Sequence, residues 1–262
     1  MHSFYFPALI SLATVCCVML CVWIWATRIS NAGIVDVFWA FNFTIIGVLI
    51  WWLAPGDGVR KLWVSGLACL WSLRLTWHLG KRVLWHLGEE EGRYKQLRYE
   101  WRNQLLLKFF LFFQAQAVSN IWLAIPWFIM AANVKAGMFF TEYAGAAIWL
   151  LAIVGETVAD AQLAAFKKNP ANKGKVCNKG LWNYSRHPNY FFQLLIWIGV
   201  FVMAIGSPYG WLAFISPVSI GYLLFKVTGI PLTEEQNLRS KGDAYRQYQQ
   251  TTSVFIPWRK KN

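Results

Sequence analysis

Acidic residues are scarce in this chain: 12 Asp and Glu stand against 25 Lys and Arg, and charged residues make up only 14% of its 262 positions. A soluble domain carries roughly a quarter charged residues, so the charge needed to clothe a water-facing surface is missing. Glycine-rich phosphate loops are missing as well. Neither Gly-x-Gly-x-x-Gly nor Gly-x-x-x-x-Gly-Lys-Ser/Thr occurs, which argues against a Rossmann domain or a P-loop. The five cysteines (Cys16, Cys17, Cys21, Cys69 and Cys177) form no Cys-x-x-Cys pair, so neither a metal site nor a disulfide framework is expected. No Lys or Arg precedes the first apolar run; that run reads as a first span, not as a cleaved signal peptide.

What the chain has instead is apolar and aromatic: 57% hydrophobic, 18% aromatic, with 17 Trp. The apolar residues come in blocks near the 20-residue length that crosses a bilayer. These run at about 7–26, 33–53, 62–79, 105–132, 139–165, 190–205 and 210–230. The expected fold is therefore all-α, an integral membrane bundle of about seven transmembrane helices forming one domain over residues 1–262.

The net charge of +13 suits nucleic acid in principle, but its distribution points to a bilayer. Lys81, Arg82, Arg93, Lys95, Arg98 and Arg102 follow the third block, and Lys167, Lys168, Lys173, Lys175, Lys179 and Arg186 follow the fifth. Arg239, Lys241, Arg246, Arg259, Lys260 and Lys261 end the chain. The opposite loops offer Arg60, Lys61 and Lys135. The positive-inside rule then places the N-terminus outside and the C-terminus in the cytoplasm, and no nucleic-acid partner is expected.

Polar groups within apolar blocks cost several kcal/mol unless paired. Asp36 shares a helical face with Trp39 and Phe43. It reads either as a carboxyl kept protonated beside aromatic rings or as an acid favouring a helix start. Arg74, His78 and Arg82 recur every fourth residue, as a snorkelling face or a functional one. Gln116 and Asn120, one turn apart, suggest interhelical hydrogen bonds. Glu156 and Asp160 face Lys167 along the fifth block, as a sugar-binding pair or an ion ladder. Pro188 suits the first position of a helix whose free N–H groups would attract an anion, with Lys175, Lys179 and Arg186 nearby in sequence. The tail from Glu234 to Trp258 adds cations and two tyrosines, as cofactor contacts or as an amphipathic helix.

The stretch 180–190, Gly-Leu-Trp-x-Tyr-Ser-Arg-His-Pro-Asn-Tyr, with Tyr245-x-x-Tyr248 and Phe255-Ile-Pro-Trp258, resembles the C-terminal domain of the steroid 5-alpha-reductase family, nearest its bacterial members. Residues 159–162, 88–94 and 36–39 extend the likeness over most of the chain. The resemblance implies a seven-helix fold of the bacterial inner membrane that binds NADPH and reduces the C=C bond of a lipophilic enone such as a 3-oxo-delta-4 steroid. It implies catalytic roles for Asp36 and His78, and cofactor contacts from Arg93, Asp160, Lys167, Lys175, Arg186, Asn189 and Tyr245. One departure stands out: Phe192-Gln193 replaces the family's Gly-Glu, removing a carboxylate and a close-packing glycine. A rival resemblance is to isoprenylcysteine carboxyl methyltransferases, which share Arg-His-Pro-x-Tyr and a Glu-Glu tail helix.

Overall fold

The computed structural model describes residues 2–260, with side chains from Tyr5 onward; Lys261 lies outside the described residues. Ten α-helices form: α1 (His2–Arg28), α2 (Ile34–Leu53), α3 (Gly58–Val83), α4 (Gly92–Glu100), α5 (Leu105–Ala131), α6 (Phe140–Lys168), α7 (Pro188–Ala204), α8 (Ile215–Tyr222), α9 (Ile230–Lys241) and α10 (Asp243–Thr251). No β-strand occurs among the described residues. Among the described residues five helical stretches are long and apolar enough to cross a membrane: Tyr5–Arg28, Ile34–Leu53, Arg102–Ala131, Phe140–Lys168 and Gly210–Lys241. The expected third and sixth spans fall short of that description for different reasons. α3 is long but carries Arg60, Lys61, Arg74, Lys81 and Arg82, whereas α7 is apolar but only 17 residues long.

The chain divides into two compact units, one reaching Met138 and including Ser207–Gly210, the other holding Phe139–Gly206 and everything from Trp211. In the first unit α2 packs on α1, α3 and α5. Its centre is aromatic: Phe43 meets Trp71 edge-on at 5.1 Å and Trp127 at 5.6 Å, joining α2, α3 and α5. Several polar groups in this core are paired across helices. Asn42 donates to the Asn120 side chain at 2.9 Å, Asn120 donates to the Trp39 carbonyl, and Ser72 donates to the Ala40 carbonyl. The interhelical bonding expected of Asn120 is thus present, and it satisfies amides that hydrocarbon would leave unpaired.

The far end of this unit is closed by Arg60, which is fully buried. Its guanidinium donates to the carbonyls of Asn133, Lys135 and Gly137, just past the last turn of α5. A cation among the outward carbonyls beyond a helix C-terminus is favoured by the helix dipole as well as by the bonds themselves.

In the second unit α6 and α7 cross closely because glycines face each other. A Cβ on Gly145 would lie 2.5 Å from the Gly199 carbonyl oxygen, so only small residues permit the approach. Phe192, which stands where the resembling family has glycine, lays its ring over Gly155, where a Cβ would come within 2.3 Å of the ring. The close packing lost at 192 is regained one helix away. A π-turn at Leu223–Val227 then breaks the last apolar stretch, and Pro231 begins the polar helix α9.

Candidate functional site

The first unit gathers Asp36 from the start of α2, Arg82 from the end of α3, and Glu91, Arg93 and Tyr94 from the start of α4. The Tyr94 hydroxyl donates to Asp36 Oδ1 at 2.8 Å, and Arg93 donates to Oδ2. Arg82 stands 3.9 Å from the same carboxylate and donates to Glu91 at 2.7 Å. Tyr94 is buried; that burial, then the charge of Asp36, raises its hydroxyl well above the ordinary phenol range, so it remains a donor. The arginines are about half exposed, leaving guanidinium N–H groups available to a ligand.

Of the two readings of Asp36, the geometry accords with the acid at a helix start: Asp36 lies in the first turn of α2 and accepts from Arg93 and the Tyr94 phenol, with Arg82 alongside. Trp39 turns away, donating to Ser119 at 2.9 Å. Arg93, expected beside a cofactor phosphate, pairs with Asp36 and Glu91 while remaining about half exposed. His78 lies half-buried on α3, one turn before Arg82. The cluster is fastened by Glu90, which accepts from the Ala32 N–H at 2.8 Å and from Arg98 through two bonds of 2.9 Å. That bridge ties the loop leading into α2 to α4.

In the second unit the stretch 180–187 runs back along the end of α6. Gly180, at φ +57°, sits against the Gln162 amide, where a Cβ would lie 2.5 Å away; a left-handed turn in so little space requires glycine. Gln162 accepts from the Leu181 N–H, and Trp182 donates to the Ala159 carbonyl at 2.9 Å. Asp160 is half-buried on this same end of α6, while Lys167 and Lys175 are exposed.

Arg186, His187 and the tail meet around Glu234, the residue that sequence reasoning passed over as part of a tail helix. Arg186 donates to it through Nε at 2.9 Å and Nη2 at 3.1 Å, His187 through Nε2 at 2.8 Å and Tyr245 through its hydroxyl at 2.8 Å, with Gln249 also donating. Arg186 Nη1 donates to the Gln249 and Thr252 carbonyls, both at 2.8 Å, capping the end of α10. Burial, then the bond to Glu234, pushes the Tyr245 phenol far up, and burial does the same for Tyr248.

Arg186 and Tyr245, expected to contact a cofactor, are therefore consumed in holding the tail. A usable signal was present: Arg186-His187 and Glu234 both open helices that begin with proline. Asn189 differs, since its buried side-chain oxygen has no hydrogen-bond partner. An orphaned acceptor in the first turn of α7 is able to take a hydrogen bond from the amide or hydroxyl of a ligand. Among the described residues no group of His, Cys, Asp and Glu is arranged to hold a metal ion.

A family model described as "Protein of unknown function (DUF1295)" matches residues 22–252. One curated relative, "Probable O-methyltransferase ustE" of Ustilaginoidea virens, is 40% identical over 63 residues, covering 24% of this chain and 22% of that protein. The chain thus spans under a quarter of that relative's length. No solved structure matches.

Proposed function

The chain belongs to the family of proteins of unknown function (DUF1295), and on that premise we propose that it is a multi-pass membrane reductase that uses NADPH on the C=C bond of a lipophilic conjugated enone. The observation that carries this reading is the cluster in the first unit. Asp36 and Arg93-Tyr94, far apart in sequence and both within stretches that extend the resemblance to steroid 5-alpha-reductases, are bonded to each other, with Arg82 beside them.

In this reading the guanidinium groups of Arg93 and Arg82 donate to the carbonyl oxygen of the enone, which gains negative charge as the double bond is reduced. Preorganised donors aimed at developing charge lower the barrier. Asp36 and Glu91 fix those guanidiniums, and Tyr94 fixes Asp36; His78, on the helix that carries Arg82, is retained as a candidate second donor. NADPH when bound supplies the hydride, and Asn189, Asp160, Lys167 and Lys175 are the residues assigned to hold it. α3 and α7 join the five apolar stretches to make seven crossings, with the C-terminus cytoplasmic and the bacterial inner membrane as the location. At 26 residues α3 is about 39 Å long, enough to cross.

The test is NADPH consumption by the detergent-purified protein offered testosterone, progesterone and simpler enones in turn. Asp36→Ala is expected to abolish turnover while NADPH still protects the protein against heat. Turnover retained in Asp36→Ala removes this cluster from the mechanism.

A second reading, an S-adenosylmethionine-dependent methyltransferase, is favoured by one observation. The curated relative is named an O-methyltransferase, and the Arg186-His187-Pro188-x-Tyr190 and Glu234 elements shared with isoprenylcysteine carboxyl methyltransferases are bonded to each other here. Heat protection by S-adenosylmethionine and none by NADPH would establish it in place of the reductase.

A further inference from the structure

The end of the chain forms a cleft of about 620 Å³ in the second unit, separate in role from the groups assigned to the cofactor. Its frame is built. The Arg186 N–H donates to the Ser253 carbonyl at 2.8 Å, Ser185 Oγ donates to the Phe255 carbonyl at 2.7 Å, and the Trp258 N–H donates to the Tyr184 carbonyl at 3.0 Å. The segment after α10 is thereby pinned along 184–186, and its side chains take fixed directions. Phe255 turns inward, its ring tilted against Phe225 at a centroid distance of 4.6 Å and edge-on to Phe191 at 5.6 Å.

Val254, Ile256 and Trp258 line the cleft, and Ile256 and Trp258 are 60% and 72% exposed. All three face the same cleft, so these apolar groups form one strip along it. Exposed tryptophan and isoleucine on a pinned backbone are costly to leave against water. The remaining lining is polar or cationic: Gln249, Gln250, Thr252, Ser253, Arg186 and Arg259, with no acidic side chain among the described lining residues. Arg186 is neutralised by Glu234, so Arg259 supplies the uncompensated charge.

An apolar strip that ends in an exposed guanidinium is complementary to an amphiphile with an anionic head. We infer that this cleft binds an anionic phospholipid, its phosphate at Arg259 and its hydrocarbon along Val254, Ile256 and Trp258. A free phosphate would leave the strip uncovered, and a zwitterionic lipid would leave the guanidinium uncompensated. The inference is independent of which reaction the protein catalyses.

The experiment follows the thermal unfolding of the full-length protein in detergent, titrated with phosphatidylglycerol, phosphatidylcholine or glycerol 3-phosphate. Phosphatidylglycerol is expected to raise the unfolding temperature saturably, while the other two leave it in place. One basic residue beside an anionic headgroup is worth about a fivefold change in affinity. Arg259→Gln is therefore expected to weaken the half-saturating concentration by about that factor, Trp258→Ala to weaken it comparably, and Lys95→Gln, an exposed cation of the first unit, to leave it unchanged. Circular dichroism confirms that each variant is folded. The inference is overturned if phosphatidylcholine acts equally, if glycerol 3-phosphate suffices, or if the titration is the same in Arg259→Gln and Trp258→Ala.

Discussion

Replacing Glu234 with glutamine is the most informative single change in the second unit, because it keeps the shape of the side chain while removing its charge and one of its two accepting oxygens. Oε1 receives Arg186 Nε, His187 Nε2 and the Tyr245 hydroxyl, while Oε2 receives Arg186 Nη2 and Gln249. An amide has one oxygen and one nitrogen. Whichever way it turns, the nitrogen faces a guanidinium N–H, so a donor meets a donor. The charge pair with Arg186, whose partners are only 11% and 14% exposed, is lost with it. Breaking a buried pair costs about 3–5 kcal/mol, and partial exposure puts this case near the lower end, at about 3 kcal/mol.

That energy holds α10 and the end of the chain to the start of α7, not the apolar helices to one another. The loss should therefore surface as local opening. At about 1.4 kcal/mol per factor of ten, amide exchange in α10 should accelerate by about two orders of magnitude. Tyr245→Phe, which deletes one donor and leaves the carboxylate its other partners, should accelerate it only about fivefold. The measurement is hydrogen exchange of residues 243–251 by mass spectrometry in detergent, with helicity checked by circular dichroism. Unchanged exchange in Glu234→Gln would refute the assignment of Glu234 as the clasp.

Two further outcomes follow from buried groups. Arg60→Met strands the carbonyls that Arg60 serves beyond α5 and should cost about 2–4 kcal/mol, read as a lowered midpoint in denaturant titration, with Arg60→Lys recovering part of the loss. Tyr94, Tyr245 and Tyr248 are held protonated by burial, so below pH about 10 these three sites carry the same protons in the folded and unfolded chains, and above it they ionise only in the unfolded chain. Stability should then fall with rising pH by up to about 4 kcal/mol per unit; alkaline unfolding followed by helicity measures it, and Tyr248→Phe should remove about a third of the slope.

The all-helical, membrane-like character was legible because burial in hydrocarbon imposes a composition that no soluble chain shares. α1, α2, α5 and α6 announce themselves as apolar runs of sufficient length. The third and sixth blocks were harder to read, because α3 mixes cations into its apolar face and α7 is short. Local pairing was legible as well: the Asn120 bond follows from an amide placed mid-helix. What helical spacing does not carry is the partner that arrives from another element. Asp36 looked aromatic-lined because its neighbours at three and seven residues are rings, yet its actual partners lie 57 and 58 residues away on α4.

One constraint partitions the donors around these sites. Arg93, Arg186 and Tyr245, expected to contact a cofactor, each bond to an acid brought from another element. In a chain with 12 acids and 25 Lys and Arg, the acids are the limiting partners, and each half-buried acid selects the donors nearest in space. Asp36 takes Arg93 and Tyr94, Glu90 takes Arg98, and Glu234 takes Arg186, His187 and Tyr245. Arginine is the cation taken in each case, as its forked geometry favours. The lysines at 167 and 175 are left exposed, so a phosphate-bearing cofactor bound beside them would be met by lysine. Charge reversal at Lys167 or Lys175 should accordingly weaken the binding of a phosphate-bearing cofactor without loosening the tail, whereas any change at Glu234 should loosen the tail first.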